Sequence, residues 1–134
     1  MSTSKKKKKG ERFSKNDLEY LVFSLNEHME LLDHQHSCPW ENTLAEHKTH
    51  AKAVIQKAPL LKGKGAKPKE VISEEDYFFI EFVIQERSDF LYEGQGVSWK
   101  QYSPHNDATF GSKLLSKLRR VLGLQQENSI VAVE

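Results

Sequence analysis

From Ser103-Pro104 onward, Phe110, Leu114, Leu118, Val121 and Leu122 recur at the spacing of one helix face, and Gly123 follows as a stop signal. A helix that buries one arc needs other elements to bury it against. Similar patterns recur three times upstream, so the chain is restricted to a mainly helical, compact bundle of about four helices. Lys113, Lys117 and Arg120 stand at i, i+4 and i+7 on the shoulder of the last arc, with Arg119 beside them. The last helix therefore reads as a core-docking element with a basic flank.

Upstream, Ser14 is placed to cap a helix, with Asp17 three residues on as the reciprocal acceptor, and Leu18, Leu21, Val22, Leu25, Met29 and Leu32 follow at helical spacing. This predicts a first helix over 15–33. Pro39 breaks the chain, and a second helix is expected from 41 or 42 to 57, with Leu44, His47, Ala51, Val54 and Ile55 on one face. Pro59, Gly63, Gly65 and Pro68 among lysines mark 58–70 as a flexible basic loop rather than an element. Ser73 and Asp76 then cap a third helix running to Tyr92, and Glu74, Glu75 and Asp76 complement its dipole. Phe79, Ile80, Val83, Ile84, Phe90 and Leu91 share one side of it, whereas Phe78 and Phe82 fall on roughly the opposite one. A helix apolar on two sides is central to the fold or part of an interface.

Gly94 and Gly96 end that helix, and 97–102 is expected to be extended or turn-like. Residues 129–133, Ser-Ile-Val-Ala-Val, read as a short C-terminal strand that pairs at most in a small hairpin with 97–102. The block from Trp99 to Val133 resembles the helix-plus-strand end of winged-helix modules, which implies a helix-turn-helix-like placement of the basic helix against DNA.

At 134 residues the chain supports one domain, and no apolar run approaches the roughly 20 residues that span a bilayer. Residues 1–11 form a lysine-rich arm whose composition cannot offset chain entropy, so it is expected to be disordered, with a single helical domain over 12–134. The single Cys38 excludes an intrachain disulfide, and the N-terminal lysines lack a following apolar run. Both point to an intracellular compartment, cytoplasmic, or nuclear in a eukaryotic host. A net charge of +1 conceals five lysines within residues 5–9, without which the remainder is slightly acidic, so attraction to phosphate must come from local patches.

Metal or catalytic chemistry has one place to reside, the segment holding His28, His34, His36, Cys38, His47 and His50. These residue types suit zinc, but their spacing matches no zinc motif, and one cysteine is too few for a finger. The expected roles are therefore structural: His28 and His47 flank the interhelical core, His50 pairs with Glu46, and His34 and His36 are solvated. Cys38 has no base or orienting group specified by its neighbours, and neither Gly94-Gln95-Gly96 nor Gly63-Lys64-Gly65 is a phosphate loop. No cofactor or metal and no enzymatic activity is expected.

Two function classes remain. Lys113, Lys117, Arg119 and Arg120, with Ser112 and Ser116, and with Lys62, Lys64 and Lys67 in the loop, supply the cations and hydroxyls used for phosphate contacts. This favours a small nucleic-acid-binding protein, with DNA the expected partner, of a kind suited to a virus or mobile element. The alternative is a protein-interaction adaptor or inhibitor, or a homodimer, presenting Phe78 and Phe82 rimmed by Glu81, Glu86 and Asp89.

Overall fold

The computed structural model describes residues 13–33, 41–62 and 67–124. Its long helices are α1 (Lys15–Asp33), α2 (Glu41–Lys57), α4 (Glu74–Tyr92) and α5 (Pro104–Leu122); a short helix, α3 (Pro68–Val71), and two 3-10 turns, Ala58–Leu61 and Trp99–Gln101, join them. The four long spans follow the apolar spacing read from the sequence. Local chemistry fixes their ends. The Ser14 backbone N–H donates to Asp17 Oδ2 at 2.9 Å while Asp17 N–H donates to Ser14 Oγ at 3.0 Å, and Ser73 and Asp76 make the same reciprocal box at the start of α4. Gly123, at φ +74°, closes α5 in the left-handed conformation that glycine adopts without a Cβ penalty.

The core lies where α4 packs between α5 and α1, with α2 laid against α1. Leu21 and Leu25 from α1, Val54 from α2, Ile80, Val83 and Ile84 from α4, and Leu114 and Leu118 from α5 are buried in it. Gly111 marks the closest approach. A Cβ there would stand 2.7 Å from both Ile84 Cγ2 and the Tyr20 hydroxyl, so only glycine lets α5 pass this close to α1 and α4.

Three expectations change. The stretch 58–70, read as a loop, contains helical turns at Ala58–Leu61 and Pro68–Val71, because Ala58, Leu61 and Ile72 are buried and burial outweighs the local glycine and proline signals. The segment 97–102, expected to be extended or turn-like, takes the turn-like form, which removes the expected hairpin. Trp99 N–H donates to Asp107 Oδ2 at 2.7 Å and Tyr102 N–H donates to Trp99 O at 3.0 Å, so the segment closes into a 3-10 turn and offers no ladder to a hairpin. The described residues contain no strand, and the one expected at 129–133 lies outside them, as do the arm at 1–11 and His34, His36 and Cys38. The link between α4 and α5, residues 93–103, also far exceeds the roughly three- or four-residue turn of a helix-turn-helix.

Among the described residues no helix is long and apolar enough to cross a membrane.

Candidate nucleic-acid interface

The N-terminus of α5 is built on a buried ion pair. Arg87 from α4 lies on the buried face that also carries Ile80, Val83, Ile84 and Leu91, and its guanidinium is fully buried. Its Nη1 and Nη2 donate to Asp107 Oδ1 and Oδ2 at 2.8 and 2.9 Å, and Nη2 also donates to the Val97 carbonyl at 3.1 Å. The Tyr20 hydroxyl donates to Asp107 Oδ1 at 2.9 Å. Burial alone would raise the Asp107 carboxyl, but the Arg87 bonds and the Trp99 N–H outweigh it and hold its pKa below the usual value. Burial and the neighbouring Asp107 charge push the Tyr20 phenol well up, so it remains a donor. One network thus ties α1, α4, α5 and the 97–102 link together.

On this support rests an aromatic floor. Phe110 packs against Tyr20 and Trp99 with ring centroids 4.9 and 4.8 Å away, and Tyr102 meets Trp99 edge to face at 5.4 Å. Lys100 Nζ sits 4.6 Å from the Trp99 ring centre and donates to Asn16 Oδ1 at 3.3 Å. Lys100 and Gln101 both take left-handed backbone, at φ +51° and +61°. Each such non-glycine residue costs on the order of 1–3 kcal/mol, and strain of this kind collects at functional sites.

Above that floor, two concave regions run along α5. One, about 530 Å³, is lined by Asp17, Thr109, Phe110, Ser112, Lys113, Ser116, Lys117 and Arg120. The other, about 410 Å³, is lined by Tyr102, Asn106, Thr109, Phe110 and Lys113. They adjoin along α5, with Thr109, Phe110 and Lys113 lining both, and are together termed the trough. Its cations are not equivalent. Lys113 and Arg120 are exposed and Lys117 is half-buried, with its Nζ bonded to Asp17 Oδ2 at 2.6 Å and 5.5 Å from the Phe13 ring centre.

Arg119 is directed away from the trough. Its Nη1 donates to the Tyr77 hydroxyl at 2.8 Å and its Nη2 to Ser116 Oγ at 3.4 Å, so it joins α5 to α4. Lys62 belongs to a different and more apolar groove of about 430 Å³, with Lys15, Leu18, Val22, Phe23 and Pro59 among its walls. Lys67 is exposed at the start of α3, and Lys64 lies outside the described residues. Tyr102 and Thr109 were not singled out from sequence as site residues. The signal was present, since Asn106, Thr109, Lys113, Ser116 and Arg120 recur at helical spacing as a polar stripe.

On the far side of α4, Phe78 and Phe82 are 53% and 44% exposed, one turn apart. Phe82 meets the rings of His28 and His47 edge on at 5.9 and 5.6 Å. Glu81 is half-buried beside them, and Glu86 Oε1 accepts from His28 Nε2 at 2.7 Å. Burial lowers the His28 pKa despite that partner, so the ring is held neutral with its proton on Nε2. His50 pairs with Asp76 rather than Glu46: its Nε2 lies 2.7 Å from Asp76 Oδ1, and Lys57 Nζ donates to Oδ2 at 2.6 Å. Burial opposes ionisation of Asp76, but these bonds and the Ser73 backbone hold its pKa at about 2. His50 also stacks on Phe79 at 4.2 Å. Among the described residues no three His, Cys, Asp or Glu side chains are grouped to hold a metal.

No protein-family model matches the chain, and no curated protein or solved structure matches it. The functional reading therefore rests on the trough and the α4 face themselves.

Proposed function

We infer that this is a small non-enzymatic protein that binds nucleic acid through phosphate contacts along α5. The observation that carries this reading is the trough, in which Lys113 and Arg120 stand exposed beside the hydroxyls of Ser112 and Ser116. Cations and hydroxyls on one surface are the groups that protein–nucleic acid contacts direct at phosphate oxygens. Ser116 is suited to the task because its oxygen accepts from Arg119, which leaves its own proton to donate outward. The lysine-rich arm enters the fold at Phe13, whose ring Lys117 overlies, so residues 5–9 join the chain within a few residues of the trough.

A titration of labelled DNA and RNA at two ionic strengths tests the reading. Phosphate contacts release counterions, so affinity should fall steeply with added salt. No binding at low salt overturns it.

The second reading, a protein-interaction adaptor, draws on the exposure of Phe78 and Phe82 beside Glu81. Desolvation of an aromatic patch persists in salt, so a salt-insensitive complex lost in Phe78→Ser would favour it.

A further inference from the structure

We propose that the α5 trough takes a single strand of DNA or RNA in preference to a duplex, with Tyr102 as the platform for a base. This rests on the phosphate-binding reading above and adds the form of the ligand. A helix that reads duplex DNA must project into a major groove about 12 Å wide. Here the exposed polar stripe of α5 does not stand alone: Asp17 from α1 and Tyr102 from the link line the same concave surface beside it. Proteins that hold single strands use such a concavity, with cations along the backbone path and aromatic rings on which bases stack.

The two requirements are met at different parts of the trough. Ser116 and Arg120 line one stretch and Tyr102 and Asn106 the other, while Phe110 and Lys113 line both. Phe110 is wedged against Tyr20 and Trp99 and serves as floor. Tyr102 is half-buried at the trough's end and contacts Trp99 at a steep angle, 78°, as an edge-to-face pair. An independent observation marks the same end. The left-handed pair Lys100 and Gln101 immediately precedes Tyr102, which lines the trough, and the turn is tied down by the Asp107 bond to Trp99 N–H and the Lys100 contact with Trp99. A relaxed turn would need glycine at these positions.

The test compares four probes by fluorescence anisotropy at low salt: roughly twelve-nucleotide oligothymidylate and oligouridylate, a DNA duplex of the same length, and inorganic polyphosphate. One or both single strands should bind at least about tenfold tighter than the duplex and the polyphosphate, since stacking adds to charge. Preference between oligothymidylate and oligouridylate identifies the sugar once oligodeoxyuridylate has separated the 2′-hydroxyl from the thymine methyl. Tyr102→Leu, which keeps apolar volume but removes the π-face, should weaken single-strand binding by about five- to hundredfold while leaving polyphosphate binding unchanged. Tyr102→Phe should retain it. Far-ultraviolet circular dichroism and thermal melts report whether each variant keeps the fold. Duplex binding equal to or tighter than single-strand binding overturns the proposal while leaving phosphate binding intact, and so does full single-strand affinity in Tyr102→Leu. Failure of every probe to bind overturns the phosphate reading beneath it.

Discussion

Arg87 and Asp107 face each other through two parallel hydrogen bonds of 2.8 and 2.9 Å, with both side chains at zero exposure. The pair joins α4 to α5, and through Tyr20, Val97 and Trp99 it also holds α1 and the link beneath the trough. Such a pair contributes little relative to an apolar replacement of both partners, but removing one partner leaves a charge buried without compensation. Arg87→Met should therefore cost about 3–5 kcal/mol in chemical denaturation. A loss below about 1 kcal/mol would show that the network does not organise the fold.

The acid side of the stability profile should fall in two steps. The His28 pKa is lowered in the fold, so the unfolded chain takes up a proton near pH 6.5 while the folded chain resists it. The stability tied to His28 is present above pH 6.5 and is lost as pH falls below that value toward the depressed folded pKa. Asp76 titrates at about 2 in the fold against a reference of 3.8, so its contribution is present above pH 3.8 and is lost as pH falls from there toward 2. Thermal midpoints measured against pH should show both declines. His28→Gln should remove the first and Asp76→Asn should shrink the second, to which the depressed Asp107 carboxyl also contributes; a first decline unchanged in His28→Gln would assign it to another group.

The two sides of α4 should respond differently to truncation. Ile80 has no exposed surface, so Ile80→Ala should cost about 2–5 kcal/mol. Phe82 is 44% exposed and touches only ring edges of His28 and His47 among its aromatic neighbours, so Phe82→Ser should cost distinctly less. Equal losses in urea titrations would make Phe82 part of the monomer's core and remove the surface on which the adaptor reading depends.

The long helices were legible because their determinants are local: apolar residues three and four apart, a hydroxyl and a carboxylate at each capping box, and Gly123 at the stop. What was not legible depends on tertiary partners. Arg87 lies in a stretch with Glu81, Glu86 and Asp89 in which nothing local names its partner, although its place on the apolar face of α4 marks it for burial. Its partner lies 20 residues away on another helix. His50 likewise passes over Glu46, one turn earlier, for Asp76 on α4. In the basic flank, helical spacing put Lys117 and Arg119 beside Lys113 and Arg120, but Asp17 and Tyr77 from other helices engage the first two.

Exposure differs among these cations and decides how the trough is tested by charge reversal. Lys113 is exposed, so Lys113→Glu alone should leave the thermal midpoint within a few degrees of the wild type, and combining it with Arg120→Glu tests both exposed cations for binding. If each side chain neutralises one phosphate, the slope of log affinity against log salt should become shallower by about 0.7 per contact on a single strand, or about 0.9 on a duplex. Adding Lys117→Glu changes the outcome, because a glutamate would replace the 2.6 Å bond to Asp17 with repulsion at the first turn of α1. The triple variant should melt lower as well as bind more weakly. Anisotropy titrations at several salt concentrations, beside thermal melts, separate the two effects. Unchanged binding by the double variant would move the phosphate contacts away from α5, to residues 5–9 or to Lys62 and Lys67.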